Sequence, residues 1–381
     1  MMINKTLGEL CNIVSGGTPS RSKAEFWTDG NIPWIKIGNI KNKYVTEVDE
    51  YITQAGLEGS SAKLLPEGTV LYTIFATLGE VGILTFKAST NQAIAGLTIK
   101  DSSQLDTDYL YYYLKSKKGY VNNIGRGVAQ NNINMSILKN FEIPLPAIET
   151  QFQIVKLLDK VTDIIITRQQ QLQKLDELVK ARFVEMFGAM SEEVPLSYYI
   201  GGLNAGKSLA GEEENPNKVL KTGAATYDYF DETQIKNLPI DYEPQENHRV
   251  KAGDVIISRM NTAELVGAAA YVWDVSEHIY LPDRLWRAEI KETANPIFVW
   301  QVLIQSSTKE SIRRIASGTS GSMKNISKPG LLGIRVVKAP IELQEPFATF
   351  VEQTDKSKFI IQQALDKTQL LFDSLMQKYF G

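Results

Sequence analysis

The segment Gly-Gly-Leu-Asn-Ala-Gly-Lys-Ser at 201–208 has the spacing of a phosphate-binding loop. In such a loop a glycine-rich backbone cradles phosphates, the lysine (Lys207) neutralises them and the serine (Ser208) holds magnesium. That chemistry needs a helix directly after the serine. The residues that follow, LAGEEENPNKV, have no apolar period and contain a proline, so the spelling lacks its context. Asn295-Pro296-Ile297-Phe298 approaches the Asn-Pro-Pro-aromatic signature of amino-methyltransferases, whose polar end holds the target amine. Its third position is wrong and no glycine-rich cofactor loop accompanies it. Asn followed by Pro is ordinary chemistry for starting a helix. His248 and His278 have no nucleophile or paired carboxylate placed with them. Two His and one Cys cannot build an ordinary structural zinc site. Glu212, Glu213 and Glu214 read as a solvated loop.

The remaining candidates are polar and basic side chains in loops between apolar runs. In the first half they are Lys36, Asn39, Thr73, Thr77, Asn91, Gln92, Arg126, Gln130 and Asn131. In the second half they are Lys221, Ser258, Arg259, Asn261, Arg284 and Lys324. Arg reads guanine, and Asn or Gln reads adenine, through two-pronged hydrogen bonds, while Lys and Thr commonly hold phosphate. Taken singly, the ordinary reading of each is a surface or loop-stabilising residue. Lys115, Lys117 and Lys118 end a helix, where they also suit the dipole.

What must position these residues is a repeat. Residues 148–188 and 341–381 align without a gap at a shift of 193. Ile148/Ile341, Gln151/Gln344, Leu172/Leu365, Lys174/Lys367, Leu178/Leu371, Phe187/Phe380 and Gly188/Gly381 are among the identities. Apolar residues fall at steps of four and three: Ile154, Leu158, Val161, Ile165, then Leu172, Leu175, Val179 and Met186. The second copy runs through Phe347, Val351, Ile361, Leu365, Phe372, Leu375 and Tyr379. This is a heptad seam, and it predicts two helices of about 55–60 Å. A helix with one apolar seam needs a partner, and its own copy is the nearest.

Between the helices lie two β-rich stretches. In residues 1–146 the runs IPWIKIGNI (32–40), GTVLYTI (68–74), VGILTF (81–86) and AIAGLTIK (93–100) read as strands. A helix (106–119) with an aromatic face follows, then a last strand (140–146). Residues 189–339 repeat the plan more loosely, with GDVIIS (253–258) answering GTVLYT (68–73). The expected division is therefore 1–146, a β-rich domain; 147–188, a long helix; 189–339, a second β-rich domain; and 340–381, a second long helix. The fold class is α+β with a pseudo-two-fold internal repeat.

Net charge is −3, with 14 basic and 13 acidic side chains in 1–146 and 17 and 19 in 189–339. Neither β-rich stretch is basic in bulk, so a DNA reader of this kind needs local basic faces or a partner that completes the clamp. No run reaches the roughly 18 apolar residues of a membrane span. The first residues lack the basic head and apolar core of a signal peptide, and a single cysteine, Cys11, fits a reducing compartment. The expected location is cytoplasmic.

The chain resembles the specificity (S) subunits of type I restriction-modification systems. The resemblance is carried by SGGTPS (15–20) with FWTDGNIPWIKIGNI (26–40), LPEGTVLYTIFATLGEVGIL (65–84), STNQAI (89–94) and LPAIETQFQIVKLLD (145–159). Echoes in the second half are VKAGDVIISR, SGTSGSMKNIS and PIELQEPFATFVEQ. The resemblance implies two target recognition domains, each reading one half of a split site in double-stranded DNA. It implies two long conserved helices packed as an antiparallel coiled coil that spaces them. It implies a non-catalytic subunit without cofactors, docked with two methyltransferase (M) subunits that bind S-adenosylmethionine and joined by restriction (R) subunits that use ATP and Mg. Asn91-Gln92 of the first half is Asp283-Arg284 in the second, so the two half-sites should differ. Competing classes are a specificity partner of another bipartite restriction enzyme, an enzyme acting through 201–208 or 295–298, and a helical scaffold with no DNA role.

Overall fold

The computed structural model describes residues 3–125, 132–318 and 323–381. It divides into two compact units, residues 1–170 with 362–381, and residues 171–361. Each long helix contributes its first part to one unit and the rest to the other.

The first unit is built on a five-stranded sheet in the order Cys11–Ser15, Ile94–Ile99, Val70–Thr73, Val81–Leu84, Tyr44–Val45. Only its last pairing is parallel. The run at 70–73 is wholly buried because both faces of the sheet are covered. Val70 and Tyr72 point into one core with the helix Thr107–Ser116, and Leu71 points into another with Ile35, Leu84 and Ile94. Side chains that alternate across a strand thereby feed two cores. A smaller sheet carries Ile32–Ile35 in the centre, antiparallel to Tyr51–Ile52 and parallel to Ser89–Thr90. The strand predicted over 32–40 stops at Ile35, because residues 37–39 form a tight helical turn.

The second unit repeats this plan. Its main sheet runs Ile200–Asn204, Leu285–Ile290, Val255–Ser258, Ala269–Tyr271. Its small sheet places Lys218–Leu220 antiparallel to Ile235–Asn237 and parallel to Ile279–Tyr280. Val255 and Ile257 again enter one core and Ile256 the other.

One aromatic helix per unit covers the main sheet. Asp106 caps Thr107–Ser116 by accepting from the Tyr109 N–H at 2.9 Å. Asn295 caps Pro296–Ile304 by accepting from the Ile297 N–H at 2.9 Å. Such caps satisfy N–H groups that a helix start leaves open.

The two long helices are Ile148–Phe187 and Ile341–Phe380. In the first unit Ile154, Leu158 and Val161 share a core with Phe372, Met376, Phe380 and the tyrosines of 109–113. In the second unit Val179, Phe183 and Phe187 share a core with Phe347, Ala348 and Val351. The seam thus departs from the expected one at its ends. It passes through Phe183 and Phe187, with Met186 only partly buried, and through Met376 and Phe380, with Leu375 and Tyr379 at its margin. Among the described residues no helix is long and apolar enough to cross a membrane.

Candidate nucleic-acid interface

In the first unit the main sheet and the smaller sheet each deliver two loops to one edge. The strand Cys11–Ser15 runs into Gly16 and Gly17, whose N–H groups donate to Ile94 O at 3.0 Å and Thr90 O at 2.9 Å. A Cβ at Gly16 would lie 2.2 Å from Asn91 O, so only glycine lets this loop lie on the 90–93 turn. The Asn91 N–H donates to Ile35 O at 3.0 Å, and the Ile74 N–H to Ala93 O at 2.8 Å. Thr18 donates its hydroxyl to Gln92 Oε1. The loops after residues 15, 35, 73 and 90 therefore meet, and they carry Lys36, Asn39, Thr77, Asn91 and Gln92.

These side chains are not equally free. Gln92 and Thr77 are exposed. Lys36 Nζ contacts Glu50 Oε1 at 2.5 Å, and Asn39 Nδ2 donates to Asp49 Oδ2 at 3.0 Å. Asn39 Oδ1 also accepts from the Lys36 N–H at 2.9 Å, closing the 37–39 turn. Asn91 Oδ1 accepts from the Ala93 N–H at 3.1 Å. Thr73 is not available as a contact. It is 0 % exposed, its hydroxyl donates to Thr77 O at 2.5 Å, and it accepts from the Glu80 N–H at 2.8 Å. Its work is to fold the 74–79 loop that presents Thr77. Arg126, Gln130 and Asn131 lie outside the described residues.

The second unit gathers its candidates in the same way. Lys221, exposed, precedes the turn Thr222–Ala225 as Lys36 precedes Ile37–Asn39. The Arg259 N–H donates to Arg284 O at 3.0 Å, and Arg259 Nε donates to Asn325 Oδ1 at 3.2 Å. Asn261 pairs with Lys324 across a short ladder, and its Nδ2 donates to Thr226 Oγ1 at 3.3 Å. Lys324 Nζ donates to Gly318 O at 2.8 Å. Arg284 is exposed. Beside them Thr226, Tyr227, Lys309, Arg313 and Lys324 line an open cleft of about 810 Å³. Ser258, like Thr73, is 0 % exposed, and its hydroxyl has no hydrogen-bond partner among the described residues. Both belong to a central strand with cores on each face, which removes them from the surface.

The 201–208 segment is the counterpart of the Gly16–Thr18 loop. Its first residues form the strand Ile200–Asn204, and no helix follows Ser208 among the described residues. The Gly206 N–H donates to Pro282 O at 3.0 Å, and a Cβ there would lie 1.9 Å from Leu281 O. Ser208 bonds to the Asp283 side chain and accepts from its N–H at 3.1 Å. The serine pins a loop, and the backbone forms no phosphate cradle. At 295–298, Asn295 is spent on its helix cap, and Phe298 is 0 % exposed, its ring 5.0 Å from Phe187. Burial, with Arg287 and Lys207 nearby, pushes His248 below the ordinary histidine range, which suits a neutral side chain.

One residue escaped the sequence reading. Arg21 lies over the Trp27 ring at 3.6 Å, and its Nη2 contacts Glu50 Oε2 at 2.5 Å. Glu50 is thus shared by Arg21 and Lys36. Hydrogen bonding from Lys36, then from Arg21, holds its carboxyl below the usual glutamate range. The signal for Arg21 in the sequence was the pair of basic residues Arg21 and Lys23 close to Trp27 and Trp34.

Residues 2–177 match the type I restriction modification DNA specificity domain. The MjaIX specificity subunit of a type I restriction enzyme from Methanocaldococcus jannaschii is 30% identical over 188 residues, 48% of this chain and 43% of that protein. The EcoR124I/EcoR124II specificity subunit of Escherichia coli is 30% identical over 162 residues, 41% of this chain and 40% of that protein. The chain thus spans about two-fifths of the length of these relatives. The MjaVIII specificity subunit of M. jannaschii is 25% identical over 376 residues, 92% of this chain and 85% of that protein. The crystal structure of a type I restriction-modification S subunit from M. genitalium superposes with a TM-score of 0.58 at 15% identity, covering 100% of this chain and 96% of that one. A chain from a structural study of complex assembly and conformational transition in the type I system gives 0.59 at 15% identity, covering 99% and 97%. These two likenesses concern the fold.

Proposed function

We propose that this chain is a specificity subunit of a type I restriction-modification system and that it reads a split, asymmetric site in double-stranded DNA. Its role is recognition rather than catalysis. The observation that carries this reading is one loop edge built twice on one strand order, with different side chains on it. The first unit brings Lys36, Asn39, Thr77, Asn91 and Gln92 to its edge, and the second brings Lys221, Arg259, Asn261, Arg284 and Lys324. Edges alike in scaffold and unlike in donors and acceptors suit two different half-sites.

The long helices form an antiparallel coiled coil that sets the distance between the half-sites. Support comes from contacts inside each unit, where Arg168 bonds to Thr368 and Asp176 meets Lys358 at 2.6 Å, so higher numbers on one helix meet lower numbers on the other. A fixed protein spacing becomes a fixed number of unread base pairs. Two methyltransferase subunits, carrying S-adenosylmethionine, dock on this scaffold, and ATP- and Mg-dependent restriction subunits join them in the cytoplasm. Such partners complete the grip that a chain of net charge −3 does not supply alone.

Methylome sequencing of a host carrying the methyltransferase partner, with and without this chain, tests the reading. A split motif that appears only with the chain is expected. Unchanged methylation, with the partner shown to be active, overturns it.

A further inference from the structure

Arg21 stands at the loop edge of the first unit in an unusual state of order for an exposed arginine. Its side chain is 55% exposed, yet three neighbours fix it. The guanidinium lies 3.6 Å from the centre of the Trp27 ring and 5.0 Å from that of Trp34. The two indoles meet edge to face, with centres 5.1 Å apart and planes at 88°. Each is anchored in turn, Trp27 Nε1 to Ser20 O at 3.1 Å and Trp34 Nε1 to Gly17 O at 3.0 Å. Glu50 Oε2 takes a hydrogen bond from Nη2, while the other oxygen of that carboxylate takes Lys36.

This arrangement does two things. Stacking on an indole sets the plane of the guanidinium and lowers the entropy cost of using it. A guanidinium has five N–H donors, and Glu50 engages one of its terminal nitrogens, so a donor edge remains. One carboxylate between two cations also leaves the cluster with a net charge of +1. A planar, fixed, two-donor edge beside residues already assigned to the interface matches the O6 and N7 acceptors of guanine in the major groove. A phosphate contact would need only a charge, which a flexible lysine supplies. The second unit has a lysine in the equivalent loop, Lys207, with its Nζ 5.8 Å from the Tyr242 ring centre.

We infer that Arg21 is a specificity-determining residue of the first unit, reading a guanine by a two-pronged hydrogen bond, with Trp27, Trp34 and Glu50 as its positioning residues. The inference rests on the recognition-subunit reading.

The test uses the purified complex of this chain with its methyltransferase partner and the split site defined by the wild-type methylome. Competition binding is measured on the cognate duplex, on duplexes with each base pair changed singly, and on unrelated DNA, for wild type, Arg21→Lys and Arg21→Ala. Both variants should lose at least about tenfold on the cognate duplex. Both should lose their preference at one G·C pair of one half-site, and keep the other half-site and the affinity for unrelated DNA. Cognate binding by Arg21→Lys within twofold of wild type overturns the inference, because charge alone then suffices. A loss shared equally by cognate and unrelated DNA, or spread over every position, also overturns it, since that is a phosphate anchor or a folding defect. A wild-type complex with no split motif fails the recognition reading itself, whereas a motif indifferent to Arg21 fails only this inference.

Discussion

Gln151 and Gln344 make the same bond in the two copies of the repeat. Gln151 Oε1 accepts from the N–H of Asp106 at 3.0 Å, and Gln344 Oε1 accepts from the N–H of Asn295 at 2.9 Å. Asp106 and Asn295 are the caps of the two aromatic helices. On the other side Gln151 Nε2 donates to Pro146 O at 2.9 Å, and Gln344 Nε2 to Ala339 O at 2.8 Å. Both side chains are 0 % exposed. One residue type thus joins the start of each long helix to the start of the helix that covers the sheet. Replacing either by Ala strands a buried N–H and should cost about 1–3 kcal/mol. Replacement by Glu should cost more, because it sets an oxygen against the carbonyl that now accepts. Urea unfolding of the four single variants checks both statements; equal stability of the Ala variants and wild type would remove the anchoring role.

Phe187 and Phe380 are the repeat-equivalent ends of the two helices, each 2 % exposed in its own unit's core. Phe187 lies 5.3 Å from Phe347 and 5.0 Å from Phe298, and Phe380 lies 5.1 Å from Tyr109. Truncation of either to Ala should cost about 3–5 kcal/mol. Truncation of Leu178 or Leu371, identical between the copies but 47% and 50% exposed, should cost under about 1 kcal/mol. Thermal unfolding of the four variants separates the seam from its outer face. A Leu371→Ala loss as large as that of Phe380→Ala would mean that the seam is wrongly placed.

The helices were legible because a three-and-four stripe over forty residues admits few phases. At their ends it admits two, since Phe183, Val184, Met186 and Phe187 are all apolar, and only packing chooses the phenylalanines. The main strands were legible as apolar runs. The two-residue strands Tyr44–Val45 and Ser89–Thr90 were not, because each pairs in parallel with a strand distant in sequence, and two residues have no period. The loop candidates could be named by type, but their availability could not. Thr73 and Ser258 end runs that could equally have emerged at the surface. Lys36 and Asn39 meet Glu50 and Asp49 only through the 37–39 turn. Nor does pairing follow identity across the repeat. Tyr72 faces Ala95 in the first unit where Ile257 faces Trp286 in the second, a large and a small partner exchanged across one ladder.

Glu50 gives the cluster around Arg21 a pH signature. Its folded carboxyl is held below the ordinary value of 4.5, chiefly by the hydrogen bond from Lys36 and then by Arg21. A depressed carboxylate stabilises the fold above its unfolded value and loses that contribution as pH falls through the folded value. Glu50→Gln should therefore be slightly less stable than wild type near neutral pH, by under about 1 kcal/mol for a partly exposed cluster. The difference should vanish below the carboxylate range. Urea midpoints of both proteins between roughly pH 7 and pH 3 test this; a constant difference would mean that Glu50 is not an ionic partner.

Thr73 and Ser258 occupy equivalent ends of the central strands, yet their hydroxyls differ. Thr73 is bonded on both sides, while the Ser258 oxygen is buried with no partner among the described residues. Removing a satisfied pair of bonds should cost, and removing an unsatisfied hydroxyl should not. Thr73→Val should lose about 1–3 kcal/mol and loosen the loop that presents Thr77. Ser258→Ala should be neutral or gain up to about 1 kcal/mol. Should Ser258→Ala prove the costlier of the two, the serine has a bond that its surroundings do not reveal.

A last prediction follows from the proposed spacing role of the helices. Seven residues turn an α-helix by about 700°, within about 20° of two full turns, so a heptad inserted after Gln170 and another after Ile361 preserve the seam. The insertion adds about 10 Å, which is about three base pairs of duplex. Methylome sequencing should then show both half-sites unchanged, with a gap longer by about that amount. Five residues at the same two points turn each helix by about 500°, about 140° past one full turn. The residues beyond the insertion then present their polar side to the partner helix, and methylation should be lost. An unchanged gap in the heptad variant would mean that something other than the helices sets the spacing. Equal tolerance of five and seven residues would mean that the seam does not hold the two helices together.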